Sequence, residues 1–90
     1  MNKVTKQVYT KYKITILNIL EQFSTNAADT TQESFTMQLS EMIQGAITDT
    51  IFIATGNTES LDKLLDTGLD FNQMAEELIS QRSPSLVFKA

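Results

Sequence analysis

Apolar residues at the start of the chain recur every three or four positions: Val4, Val8, Tyr12, Ile16, Ile19 and Phe23. This spacing keeps them on one face of an α-helix and predicts a helix over about residues 3–23. A competing pattern lies inside it, because Tyr12, Ile14 and Ile16 alternate with polar residues as in a half-buried strand. The helix accounts for more positions over a longer span and is preferred, with residues 11–17 left open to the strand interpretation.

A longer periodic stretch runs from about residue 31 to residue 55. Its main face consists of two adjoining stripes, with Phe35, Leu39, Met42, Ala46 and Thr50 in one and Ile43, Ile47, Ile51 and Ala54 in the other. Thr30 and Glu33 have the spacing of a capping box at the start of a helix. Gly56 suits the left-handed position that follows a helix end. The β-branched segment TIFIATG, residues 50–56, is therefore predicted to form the last turns of this helix.

Two short helices are predicted after it. The first covers about residues 59–67, with Leu61, Leu64 and Leu65 facing inward, and Gly68 ends it. Asp70 with Gln73 repeats the cap signature before a helix over about residues 71–82. The apolar positions of that helix are Phe71, Met74, Ala75, Leu78 and Ile79, and Pro84 follows its end. The last residues are expected to form an extended or frayed tail.

The sum of these elements is one small all-α domain of four helices, two long and two short. Short connections make neighbouring helices antiparallel. A chain of 90 residues buries only about 60–65% of its unfolded surface, so its stability is marginal without further support. It has no cysteine, and therefore disulfides cannot supply that support. Association of two copies can supply that support.

Four apolar residues of the second predicted helix are candidates for a protein interface: Met37, Met42, Phe52 and Ile53. Phe52 and Ile53 fall opposite the main stripe, and a helix that is apolar on all sides must be covered on all sides. Methionine is adaptable and is over-used at binding surfaces. We expect these residues to contact a second copy in a homodimer or a protein partner of unknown identity. The alternative is that the rest of the domain covers them in a compact monomer.

The sequence contains no histidine and no cysteine. This excludes Ser-His-Asp and Cys-His catalysis and the usual zinc sites. The three glycines are too far apart to form a phosphate-binding loop. We therefore expect a non-enzymatic protein without a cofactor or a metal, such as a small accessory, adaptor, chaperone or inhibitor protein.

The net charge of −4 is unevenly distributed along the chain. Residues 1–23 carry four lysines against Glu21, a net of +3, and the remaining residues carry three bases against ten acids, a net of −7. Opposite charges of this kind allow two copies to pair head to tail, and they also suit a basic arm for nucleic acid or anionic lipid. Four lysines without arginine are a weak nucleic-acid signature.

A helix-turn-helix DNA-binding regulator over residues 71–88 is the alternative function. Ala75 would let two helices cross, and residues 82–87 would form the recognition helix. However, Ile79 occupies the turn position expected to be glycine, and Pro84 would interrupt the recognition helix. Arg82 is the single base in residues 71–88. Neutralisation of DNA phosphates by bases supplies most of the affinity for DNA, so this segment is poorly equipped to bind it.

A ribbon-helix-helix arrangement with residues 11–17 as the strand is a further variant, and it leaves most of the chain unexplained. Nucleic acid is therefore not the expected partner. No apolar run approaches the roughly 18–20 residues that span a bilayer, and no signal-peptide core follows the N-terminal lysines. We expect a soluble cytoplasmic protein without a membrane partner.

Overall fold

The computed structural model describes residues 1–82 and 86–89, and within them the fold is all-α, as predicted. The helices follow in this order: α1 (Lys3–Lys11), α2 (Lys13–Phe23), a 3₁₀ helix (Ser24–Asp29), α3 (Gln32–Thr55), α4 (Glu59–Asp66) and α5 (Phe71–Arg82). Residues 50–55 are helical to the end of α3, and Gly56 follows with φ of 77°, in the left-handed region. The interpretation of the TIFIATG segment as helix is therefore confirmed.

The central element is α3, against which α2, α4 and α5 pack. Its 24 residues extend about 36 Å at 1.5 Å per residue, close to the 40 Å long axis of the molecule. Its buried residues recur every four positions: Phe35, Leu39, Ile43, Ile47 and Ile51. The most extensive contact of α3 is with α5, and α2 and α4 cover other parts of the same stripe. Each such side chain contributes roughly 1.5–3 kcal/mol when fully buried.

The predicted helix over residues 3–23 is wrong in its continuity, because it is two helices that meet at Tyr12. The backbone at Tyr12 has φ of −108° and ψ of 22°, outside the α-helical region. The Tyr12 N–H donates to Val8 O at 3.0 Å at the end of α1, and Tyr12 O accepts from the Ile16 N–H at 3.0 Å at the start of α2. The cause is packing: α1 lies chiefly on α5 and α2 lies on α3, and one straight helix cannot follow both.

The start of α1 is fastened to the turn between α4 and α5. Asn2 caps α1 by accepting from the Thr5 N–H at 2.8 Å, and its side-chain amide donates to the Gly68 carbonyl at 2.7 Å. The hydroxyl of Thr5, which is completely buried, accepts from the Asp70 N–H at 3.0 Å. Asp70 in turn caps α5 by accepting from the Gln73 N–H at 3.2 Å. The predicted cap at Asp70 is confirmed, and it belongs to a network that holds three helix ends together.

The cap of α3 lies one residue later than predicted. Thr31, not Thr30, accepts from the Ser34 N–H at 3.2 Å. Thr30 has extended backbone angles, and its carbonyl accepts from the Lys89 N–H at 2.9 Å. With the cap at Thr31, Glu33 is the second residue of α3 and not the third, which is the position that a capping box requires.

The described part of the C-terminal segment is docked on the core. Phe88 lies edge-on to Phe35 with ring centroids 5.1 Å apart, and Phe23 stacks on Phe35 at 4.7 Å. Such pairs add about 0.5–1.5 kcal/mol beyond the area they bury. Residues 86–89 form no helix, in agreement with an extended tail. Pro84, predicted to follow the end of α5, lies outside the described residues.

The C-terminal helices agree largely with the prediction. The bounds of α5 are those expected, and its five predicted apolar positions are all buried. In α4, Leu61 is buried and Leu64 is half-buried, but Leu65 is exposed. The inward position predicted for Leu65 is therefore wrong. A helix of eight residues that contacts the core along one line cannot bury all three of its leucines.

Tyr9 is buried between α1 and α5, and its hydroxyl donates to Gln81 Oε1 at 3.3 Å. Burial raises the pKa of the Tyr9 phenol, and the nearby Glu77 carboxylate raises it further. Arg82 and the hydrogen bond to Gln81 oppose these effects in part. The folded chain therefore keeps this proton to a higher pH than the unfolded chain does.

This raised pKa predicts an alkaline loss of stability that depends on Tyr9. The stabilisation is fully present below about pH 10, the ordinary tyrosine value, and is lost as the pH rises through the raised value. Tyr9→Phe should flatten the fall in the free energy of unfolding above that pH, as measured by urea titration at several pH values. Tyr12→Phe is the matched control and should retain the fall. An unchanged alkaline slope in Tyr9→Phe would contradict the assignment.

Candidate interaction surface

The side of α3 that points away from the core carries a separate set of apolar residues. We call the residues Met42, Gly45, Asp49, Phe52 and Ile53 the outer face; they are spaced by three, four, three and one positions, so they stay on one side of the helix. Ile53 is 84% exposed, Phe52 53% and Met42 41%. The rest of the described chain therefore leaves Ile53 almost uncovered and covers Phe52 and Met42 only in part, which does not support the alternative that the domain covers all of them itself.

Met37 is also exposed but lies apart from the outer face. It precedes Met42 by five residues, which is about 140° around the helix. It lines a depression of about 860 Å³ together with Asn72 and Glu76 of α5. Of the four residues predicted as an interface, the structure thus places Met42, Phe52 and Ile53 on one surface and Met37 on another.

The outer face is acidic as well as apolar. Three acids and no base occur in α3, and all three acids are exposed: Glu33, Glu41 and Asp49. Asp49 lies within the outer face, between Met42 and Phe52 in the sequence. Because Asp49 is the one charged residue of the outer face, that surface selects for an apolar partner with positive charge.

Apolar and positively charged side chains occur together at the start of α2. Ile14 is 79% exposed and has Lys11 and Lys13, both exposed, beside it in the sequence. We call Lys11, Lys13 and Ile14 the basic surface. Sequence reasoning did not single out Ile14, although its position between Tyr12 and Ile16, outside the stripe of residues 4–23, was a usable signal.

Gly45 is not required by the packing of the chain itself. A Cβ atom built on Gly45 would meet nothing within 4 Å, and the residue lies in the middle of α3. Glycine at such a position costs about 0.5–1 kcal/mol relative to alanine. It leaves a shallow notch on the outer face between Met42 and Asp49.

A groove lies between α1, the end of α3 and α4. It has a volume of about 540 Å³ and a mainly apolar floor that includes Val8, Tyr12 and Ile51. Among the described residues that line it, Lys11 is the one with a charge, and its ammonium lies 5.5 Å from the centre of the Tyr12 ring. The groove thus adjoins the basic surface.

The carboxylates are dispersed over the fold. In the part of the chain that the structure describes, no three aspartates or glutamates come close enough to hold a metal ion. Over the same residues, none of the helices has the length and apolar content needed to cross a bilayer.

No family model matches the chain, and no curated protein or solved structure is significantly similar to it.

Replacement by alanine should have opposite effects on stability at Gly45, within the outer face, and at Gly56, just after α3. Gly45→Ala should raise the free energy of unfolding by about 0.5–1 kcal/mol, because it adds helix propensity in open space. Gly56→Ala should lower it by about 1–2 kcal/mol, because φ of 77° strains any residue with a Cβ. Urea denaturation at low protein concentration measures both. A loss of stability in Gly45→Ala would contradict the open environment at that position.

Proposed function

We propose that this protein is a non-enzymatic interaction module that associates with itself as a homodimer through the outer face of α3. The observation that carries the proposal is the exposure of Ile53, Phe52 and Met42 together on one side of the central helix. Exposed apolar residues are unremarkable singly, but a contiguous group on one face is typical of an interface. The absence of disulfides from a 90-residue chain adds a reason for oligomerisation.

The size of the surface supports a dimer of moderate affinity. Each large apolar side chain contributes about 1.5–3 kcal/mol when fully buried, and these three are already partly covered. Two copies contribute three such residues each, and association costs about 4–15 kcal/mol before any net affinity appears. A micromolar dissociation constant requires about 8 kcal/mol net, so we expect self-association in the micromolar range or weaker.

In the cell, such a module would act as an accessory, adaptor, chaperone or inhibitor protein that binds other proteins. We also propose a cytoplasmic location, which the cysteine-free composition favours because reducing compartments do not sustain disulfides. Exchange between the dimer and a complex with another protein would use the same outer face.

A charge placed on the outer face should convert the dimer into a monomer. Ile53→Asp puts a carboxylate where an apolar side chain is buried on association, and Ile53 is exposed enough that folding should be retained. Size-exclusion chromatography with light scattering, over a concentration series that crosses the micromolar range, measures the mass. Circular dichroism verifies the helical fold.

Met37→Asp is the matched control for this experiment. It adds the same charge to an exposed position of the same helix, about 24 Å from Ile53 along the axis. We expect Met37→Asp to dimerise like the wild type. A wild-type protein that stays monomeric at high concentration would refute the proposed self-association.

The DNA-binding alternative makes a different prediction. Leu86 and Phe88 are half-buried against the core and form no helix, so a recognition helix that extends to residue 88 finds no support there. We expect negligible affinity for a fluorescently labelled duplex at low salt, measured by anisotropy. Measurable binding that falls steeply with salt and weakens further in Arg82→Ala would instead favour a DNA-binding protein.

A further inference from the structure

The outer face does not fit a second outer face well. It carries Asp49, and Glu41 is exposed on the preceding turns, whereas α3 contains no lysine or arginine. If α3 packed antiparallel against α3 of another copy, these carboxylates would meet without a counter-charge. Like charges brought together at an interface oppose association and suppress that pairing.

The basic surface supplies what the outer face lacks. Lys11 and Lys13 provide two exposed cations, and Ile14 provides an apolar side chain that is 79% exposed. Glu21 is the single acid in α1 and α2 against four lysines. The two most exposed large apolar residues of the described chain, Ile53 and Ile14, therefore lie on surfaces of opposite charge.

We propose that the homodimer joins unlike surfaces: the outer face of α3 in one copy packs on the basic surface of the other copy. This inference rests on the proposed self-association and specifies how it occurs. Asp49 then faces the lysines beside Ile14, and Ile14 lies against the apolar residues of the outer face. A two-fold axis makes the contact twice, because each copy offers both surfaces.

The test combines two variants that each lose one surface. Ile53→Lys removes the outer face as a binding surface, because it sets a cation against the lysines of the other copy, and Ile14→Asp removes the basic surface, because it sets a carboxylate against Asp49. Each variant alone is expected to be at least tenfold weaker in self-association than the wild type. In an equimolar mixture, the intact basic surface of the first variant can still bind the intact outer face of the second. Native mass spectrometry with one variant isotope-labelled detects the resulting mixed dimer, which should exceed either same-variant dimer.

Lys13→Glu is a second way to remove the basic surface. It changes only the charge of an exposed side chain, so a failure of Ile14→Asp to fold does not end the test. Mixed with Ile53→Lys, Lys13→Glu should again form the mixed dimer. Circular dichroism of each variant alone verifies the fold before mixing.

The effect of salt on the dissociation constant is an independent test, because the two kinds of contact predict opposite changes. Contacts between unlike charges weaken as the ionic strength rises from about 50 to 500 mM, whereas a contact between two acidic faces strengthens because repulsion is screened. We expect the wild-type dissociation constant to increase with salt by several-fold.

Two outcomes overturn the inference, and they differ from each other. If the wild type dimerises but the mixed variants remain monomeric and salt strengthens the dimer, the outer face pairs with itself. If the wild type does not dimerise at all, the proposed function fails and this inference fails with it.

Discussion

The one-sided burial of α3 is the constraint on which the rest of the structure depends. Its buried residues lie every fourth position from Phe35 to Ile51, and none is more than 7% exposed. The other α-helices have 8–12 residues each, half the length of α3 or less. They cover the stripe in segments, and within the described residues the opposite side of α3 stays exposed at Phe52 and Ile53. The exposure of Phe52 and Ile53 is therefore a consequence of how the fold distributes its length.

The same constraint explains the bend at Tyr12 and the polar network at the start of α1. Because α2 must follow α3, α1 must turn to reach α5, and its N-terminus is then held by Thr5 and Asn2 at the α4–α5 turn. The buried hydroxyl of Thr5 is fully hydrogen-bonded, and within the described residues no buried side-chain polar atom lacks a partner.

The sequence predicts an element well where local signals agree with the periodicity. For α5, the cap at Asp70 and the apolar positions from Phe71 to Ile79 specify both the bounds and the buried face. For Tyr12 they do not, because the apolar stripe continues across the bend. What decides it is competition between α3 and α5 for two halves of one segment, a tertiary effect. The contact of Phe88 with Phe35 is tertiary in the same way.

The candidate surface was predictable in its residues but not in its grouping. The sequence indicates that Phe52 and Ile53 lie opposite the stripe, yet only the fold shows that the described chain leaves them uncovered and that Met37 lies elsewhere. The charges beside these residues restrict which partners the surface can bind. An apolar face among neutral residues associates with any similar face, whereas carboxylates at Glu41 and Asp49 penalise partners of like charge. The excess of lysines over acids in α1 and α2 and the lack of any base in α3 therefore favour one kind of contact over indiscriminate association.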